Sequence, residues 1–593
     1  MAGTLVALLL GVGLAALAGP AASAEQPNIV LMIADDLGFN DVSFRGSTEF
    51  QTPNIDALAY SGVILDRHYV LPTCTPSRTA LYTGLYPIRT GMQGWPLKAG
   101  EPRGLPLHLR TLPERLRALN YSTNLVGKWH QGSFKSEYTP TRRGFDHHLG
   151  YWNGYMSYFS HRVHMDSPNG LQEGRIGYDL HWDGRTAWEY QGQYATKMFT
   201  ERAEDIIRDH KPAKGPLFLT IAHLAAHAGL NGSILEVPDE AANDREHGHI
   251  QDRNRRQLAG VIGEMDASVG RVIRALDQRG ILNNTIIVFM ADNGGETEGP
   301  HRNFASNWPL RGQKWTLFEG GVRGAAVVWS PRLQSRLGSV WDGLMHATDW
   351  LPTFYEAAGG DVADLGPLDG QSQWRSLSQG VVSTRSEVLV NVDEGAAIIS
   401  QDDSSYWKLV KGQQALDRSG YLGDSGRSAS IQYNLTAVLS SPAAAALGKY
   451  STPLTAEVAE DLRNQAKSGL TTRCRAGVAG KPVNLTCAPY CLFNLKDDPC
   501  ESKDVADVYP ALGKEMLDRL AYWEKLAVPK LDTAVDDAAD PRRHNMTWVP
   551  WRDAAVSTEA PVTPTAAPAP GAAAALAASL PLLLVAAAVL QRH

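Results

Sequence analysis

Four short apolar runs punctuate the chain without polar alternation: Asn28–Ala34, Leu217–Ala222, Thr285–Ala291 and Ala325–Trp329. A strand with one wet face alternates, so these runs predict strands covered on both faces. Helix-period patterns lie between them. The clearest sets Leu258, Val261, Ile262, Met265, Val269, Val272, Ile273 and Leu276 on one face and stops at Gly280. Buried strands alternating with such helices predict an α/β fold, a large, mostly parallel sheet sandwiched by helices. Past about residue 380 the texture changes. Glu387–Val392, Tyr406–Val410 and Cys491–Leu495 predict shorter strands, followed by a helix from about Leu512 to Ala527. The expected organisation is a main domain over 25–380 and a smaller C-terminal α+β domain over 381–552.

Both ends read as something other than fold. Residues 4–18 are an apolar run, too short to span a bilayer, followed by Ala22-Ser23-Ala24. That pattern predicts a signal peptide over 1–24 with a mature start at Glu25. Residues 553–570 form a Pro/Thr/Ala-rich linker, and 571–593 a hydrophobic tail. Small residues near Ser557–Ala560, a polar spacer and a terminal apolar stretch fit a GPI-anchor signal. A transmembrane helix is the rival, disfavoured by Pro581 and by a single basic residue, Arg592, behind it. Either way, membrane attachment through the tail is expected. The predicted location is the secretory pathway, ending at the cell surface or in a lysosomal or secreted form.

The charge balance is 56 basic against 63 acidic residues, −7 in all, and argues against a nucleic-acid partner. With 43% hydrophobic and 20% charged residues the chain is neither disordered nor a polytopic membrane protein. Of its five cysteines, Cys474, Cys487, Cys491 and Cys500 cluster as two disulfides of open connectivity. Cys74 is left over. Sequons at Asn120, Asn231, Asn283, Asn434, Asn484 and Asn545 agree with secretion and predict a glycoprotein.

Two of the buried strands end in acidic pairs, Asp35-Asp36 and Asp292-Asn293. In an open parallel sheet, ligands gather beyond the carboxyl ends of strands. Carboxylates gathered there call for a cation, and all-oxygen donors favour Ca²⁺ or Mg²⁺ over zinc. The lone cysteine opens Cys74-Thr-Pro-Ser-Arg78, ahead of a predicted helix over Pro76–Tyr82. Further on stand Gly127-Lys128-Trp129-His130 and Trp308-Pro-Leu-Arg-Gly-Gln-Lys314-Trp-Thr-Leu-Phe-Glu-Gly-Gly-Val-Arg-Gly324.

Those three segments resemble the sulfatase family, and the last of them its arylsulfatase B-like branch. The resemblance runs from about Asn28 to Asp349 and continues more thinly to about Ala527. It implies an alkaline-phosphatase-like fold and a sulfuric ester hydrolase acting on aryl sulfates or sulfated aminosugars such as N-acetylgalactosamine 4-sulfate. It also implies that a formylglycine-generating enzyme oxidises Cys74 to formylglycine. One Ca²⁺ would be held by Asp35, Asp36, Asp292, Asn293 and the residue-74 side chain. Arg78 would orient the nucleophile, Lys128 and Lys314 would grip the sulfate, His227 or Lys314 would protonate the leaving oxygen, and His130 would help regenerate the aldehyde.

The residues themselves fit such chemistry: a sulfate ester is an anion whose oxygens must be held by convergent cations while a nucleophile reaches sulfur. The helix start behind Cys74 would add its N–H groups and positive dipole end. Several positions depart from the family pattern. His227-Ala-Gly replaces His-x-Pro, leaving His223 as a competitor; Asn120 stands in place of Gly and Gln131 in place of Leu; and 96–106 lacks the usual cysteine. Trp95, His147, His148 and His301 are read as surface or packing residues. Two alternatives stand beside the sulfatase. One is a catalytically silent glycan-binding surface protein, the other a phosphodiesterase or phosphonate hydrolase of the same wider fold.

Overall fold

The computed structural model describes residues 25–553, apart from 167–173, 230–233, 403, 413–418, 421–422, 424, 428–430, 472–473 and 475–486. The expected signal peptide, most of the linker and the apolar tail lie outside the described residues, as do Asn231 and Asn484. The other four sequon asparagines are exposed. Two units are distinguished, one ending at Arg552 and the other spanning Asp553–His593. No helix among the described residues is long and apolar enough to cross a membrane.

Strands β1 (Asn28–Ala34), β2 (Val63–Tyr69), β3 (Ser122–Gly127), β4 (His147–Gly150), β5 (Arg162–His164), β6 (Ile176–Tyr178), β7 (His181–Trp182), β8 (Arg185–Thr186), β9 (Leu217–Ala222), β10 (Thr285–Ala291), β11 (Ala326–Trp329) and β12 (Ser339–His346) precede four later ones. These are β13 (Glu387–Val392), β14 (Ala396–Gln401), β15 (Tyr406–Lys411) and β16 (Cys491–Asn494). The large sheet has the order β12-β2-β11-β10-β1-β9-β3-β4-β7-β8. Its centre, β10-β1-β9-β3-β4, is parallel throughout.

Alternate residues of β1 face two separate cores, which is why its sequence does not alternate. Val30, Met32 and Ala34 pack on one side with Leu258, Val261, Ile262 and Met265, and Ile29, Leu31 and Ile33 on the other with Leu81, Leu116 and Trp350. The helix behind the first core, Arg253–Gln278, buries the apolar positions read from its periodicity, and the Asp252 side chain caps it by accepting from Arg255 N–H. Two strands depart from the parallel expectation, β7 near one edge, antiparallel to β4 and β8, and β11. β11 runs antiparallel to both neighbours, β10 and β2, because the chain enters it from the edge where β10 ends instead of crossing over a face.

β13-β14-β15-β16 form a smaller antiparallel sheet. One face packs on Met516, Leu520 and Trp523 of the helix Pro510–Leu526. The other packs on Leu317, Phe318 and Val322, in the segment that also carries Lys314. Cys474–Cys500 and Cys487–Cys491 are the disulfides, and Cys74 is free and buried.

Candidate active site

Four adjacent parallel strands deliver their C-terminal ends to one edge. Register pairs Ala34 with Ala291, Ile33 with Ala222, and Ala222 with Gly127. The residues that follow, Asp35-Asp36, Asp292-Asn293, His223 to His227 and Lys128 to His130, are therefore neighbours in space. Gly127 turns at φ +100° with the Ala222 carbonyl pressed where a Cβ would stand, so only glycine allows Lys128 to leave the strand here.

Opposite charges interleave across this edge. Lys128 Nζ lies 2.6 Å from Asp35 Oδ2, and Lys314 Nζ lies 2.6 Å from Asp36 Oδ2. Arg78 donates to Asp292 Oδ2 through Nε at 3.1 Å and Nη2 at 2.8 Å. Asn293 Nδ2 donates to Asp36 Oδ1 at 2.7 Å, and Cys74 Sγ is 4.0 Å from that same oxygen. His227 Nε2 stands 3.4 Å from both Asp36 Oδ2 and Lys314 Nζ. All of these side chains are buried.

Such crowding moves their titrations. Burial, reinforced by Asp292 and Asp36 and opposed by Lys128, pushes the Asp35 carboxyl up to about 7. Burial also acts on Asp36, but Lys314, His227 and Lys128 outweigh it and hold that carboxyl well below the ordinary range. Burial pushes the Cys74 thiol up to about 12, so an unmodified Cys74 is a protonated, weak nucleophile. Burial, with Lys314 and Lys128 nearby, keeps His227 neutral, and burial with Lys128 keeps His130 neutral. A neutral imidazole is able to accept a proton.

Asp35, Asp36 and Cys74 converge closely enough to share one ion. Asp35 Oδ1 and Asn293 Oδ1 are buried without a hydrogen-bond partner among the described residues. Orphaned buried oxygens beside clustered carboxylates fit a hard cation.

Cys74 is the first residue of the helix Cys74–Thr83, two residues earlier than the sequence suggests, because extended Thr73 ends the preceding segment. The departures from the family pattern have local explanations. Asn120 sits at φ +67°, a left-handed position that asparagine tolerates next best to glycine. Buried Gln131 accepts from Thr79 Oγ1 at 2.7 Å and donates to the Thr75 carbonyl at 3.0 Å, tying the nucleophile helix to the His130 loop. Arg103, paired at 2.8 Å with both Glu101 and Asp532, braces the cysteine-free segment.

Of the two histidines after β9, His227 reaches the cluster. His223 is buried nearby, and neither ring nitrogen has a partner among the described residues. His130 Nε2 meets the Leu97 carbonyl at 2.9 Å. Trp95 and His301 line the cavity above Cys74, whereas His147 pairs with Asp183 and His148 with the Gly127 carbonyl. Sequence reading overlooked Glu296, 3.7 Å from Lys314 Nζ, whose only signal is an acid four residues past Asp292. It also overlooked Asn303, which donates to the carbonyls of Asp36 and Ala226 and gave no signal at all.

Residues 27–360 match the sulfatase family model. The chain is 36% identical to mouse (Mus musculus) arylsulfatase J, covering 89% of this chain and 81% of that one. It is 33% identical to human (Homo sapiens) arylsulfatase A, covering 61% and 72%. Among solved structures it resembles Ps i-CgsB with a TM-score of 0.65 and 26% identity, covering 88% and 98%; a second structure of that protein holds k-i-k-neocarrahexaose. The fold, the sheet-edge constellation and these relationships together make the chain a member of the sulfatase family, a sulfuric ester hydrolase.

Proposed function

We propose that the protein hydrolyses the sulfate ester of a sulfated carbohydrate or aryl sulfate through a formylglycine at position 74 and one bound Ca²⁺. The observation that carries this reading is the convergence on Cys74 of three buried acids and three buried cations on one sheet edge. Asp35, Asp36, Asp292 and Asn293 would hold the cation, with the residue-74 oxygen completing the shell. When bound, it would neutralise sulfate oxygens and lower the charge repulsion felt by the nucleophile.

Formylglycine, installed by its generating enzyme and hydrated, offers one hydroxyl to attack sulfur and displace the alcohol. The second hydroxyl loses its proton and expels sulfate as the C=O re-forms, so one difficult displacement becomes two easier ones. Arg78, anchored on Asp292, orients that side chain. Lys128 and Lys314 bind the sulfate oxygens. Of the pair Lys314 and His227, which face each other at 3.4 Å, Lys314 carries the proton and supplies it to the departing alcohol oxygen, since neutral His227 spends its N–H on the Ala228 carbonyl. His130, held neutral, accepts the proton released during elimination.

Sulfated aminosugars such as N-acetylgalactosamine 4-sulfate and aryl sulfates are the substrates to assay. The catalytic domain would span 25–380 and the smaller domain 381–552, with a glycosylated, secretory-route protein attached to the membrane by a GPI anchor or transmembrane tail. The test is sulfate release from both substrate types by the protein and by Cys74→Ala. Release by the first and not the second supports the reading. Equal release by both overturns it, and binding without release by either favours the silent glycan-binding alternative.

A further inference from the structure

Above Cys74 one wall of the cavity is made by two tryptophans, packed against each other, that the catalytic chemistry does not use. Trp95 and Trp315 line it with ring centroids 5.0 Å apart, and Trp95 is 46% exposed at its mouth. Neither ring is there by accident of packing. The Trp95 segment is fastened on either side of the nucleophile: Thr73 Oγ1 donates to the Gly94 carbonyl, Leu97 N–H donates to Thr75 Oγ1, and buried Arg103 donates to the Trp95 carbonyl. Trp315 directly follows Lys314, whose ammonium lies 5.4 Å from the indole centre. Its backbone sits at φ +80°, where a bulky residue is a genuine outlier, and its N–H is hooked to the Pro72 carbonyl. Strain kept at such a position points to use of the side chain.

The opposite wall is polar. The Tyr155 ring stacks on His227 at 5.6 Å, and its buried hydroxyl has no partner among the described residues. Asp166 stands beside it, one carboxylate oxygen accepting from Ala99 N–H at 2.7 Å. An aromatic wall facing a hydroxyl and a carboxylate suits a ring with apolar C–H faces and a hydroxylated edge. At about 170 Å³ the cavity falls below the roughly 300–1,000 Å³ of drug-sized sites and takes one ring, not a run of them.

Resting on the sulfatase reading above, we propose that Trp95 and Trp315 form one aromatic wall on which the pyranose ring that carries the sulfate packs, with Tyr155 and Asp166 hydrogen-bonding its free hydroxyls. The enzyme is then selective for a single terminal sulfated sugar over a flat aryl sulfate. The tests are Trp95→Ala and Trp315→Gly, each beside its Trp→Phe counterpart. Glycine accepts the Trp315 backbone, so Trp315→Gly adds no strain at φ +80°, and a melting temperature taken beside each variant shows that the fold is kept. Two readouts apply: kcat and KM on N-acetylgalactosamine 4-sulfate against p-nitrophenyl sulfate, and calorimetric binding of the same sugar sulfate in a Cys74→Ala background.

Each ring deletion is expected to weaken sugar binding about tenfold, the upper range for an aromatic contact, mostly as a higher KM. Phenylalanine restores most of the binding, and the sugar-to-aryl ratio of kcat/KM falls. Unchanged sugar binding in both deletions overturns the proposal. A larger loss on the aryl ester also overturns it, making the occupant a flat ring. Absence of turnover on every sulfate ester defeats the sulfatase reading instead, and the binding arm still decides the role of the tryptophans.

Discussion

Lys408 offers a sharp test of how the smaller sheet supports the catalytic edge. Its ammonium, fully buried, lies 3.0 Å from Glu319 Oε1 and 2.9 Å from Glu501 Oε1. Glu319 opens the helical turn Glu319–Val322, five residues beyond Lys314, and its N–H donates to Glu501 Oε2 at 2.7 Å. Lys408→Met keeps the length of the side chain and removes only the charge, leaving two buried carboxylates with Arg323, 3.5 Å from Glu319, and Arg311, which donates to the Glu501 carbonyl at 3.2 Å, as neighbouring cations. Breaking a buried pair in this way costs about 3–5 kcal/mol.

The loss must depend on pH. Burial, with Glu319 adding to it and Lys408 opposing it, already pushes the Glu501 carboxyl up to about 7. A carboxyl raised above its unfolded value of 4.5 contributes stability that is present below 4.5 and lost as pH climbs through the folded value. Deleting Lys408 removes the charge that opposes the rise, so Glu501 in the variant holds its proton more tightly still. Urea unfolding should therefore show the full loss near pH 8 and a smaller one near pH 5, with kcat reduced because the Lys314 segment loses its anchor. A loss below about 1 kcal/mol at pH 8, the size of an exposed pair, would refute the reasoning. So would a larger loss in acid.

Lys314→Ala should lower kcat about 10²–10³-fold on any sulfate ester, the scale for removing one preorganised charge donor, as steady-state kinetics will show. Chelation followed by dialysis should lower both the melting temperature and activity, with Ca²⁺ restoring them better than Zn²⁺; calorimetric scans of the stripped and reloaded protein check this. Gln131→Leu, which restores the residue common among relatives, should cost about 1–3 kcal/mol in urea titrations, because the buried Thr79 hydroxyl and Thr75 carbonyl lose their partner.

The central strands were legible because burial on both faces leaves an unmistakable signature: Asn28–Ala34, Leu217–Ala222 and Thr285–Ala291 are strands over those residues. β2 escaped notice for an equally physical reason. Asp66, Arg67 and His68 interrupt its apolar run, and the cost of their burial is offset by partners far along the chain, Arg45 and Arg323 on Asp66 and Trp350 on His68. The acidic sheet edge could be foreseen from two strand endings and the geometry of parallel sheets. Convergence of Lys314 with Asp36 could not, since Lys314 lies on a loop 278 residues away whose path is set by contacts with the small sheet. The motif match supplied that residue, and the geometry then showed why it belongs. Loop residues that no motif marks, such as Glu296 and Asn303, emerged only from coordinates.

Buried and unreactive as a thiol, the residue at position 74 is proposed to become the nucleophile by oxidation. Trypsin cuts after Arg67 and Arg78, so the tryptic peptide His68–Arg78 isolates the residue. The measurement is its mass spectrum, taken on protein secreted from cells that make formylglycine. The expected peptide has lost the sulfur of Cys74 and gained an aldehyde that reacts with a hydrazide. An intact thiol in folded, secreted protein that still releases sulfate would contradict the proposal.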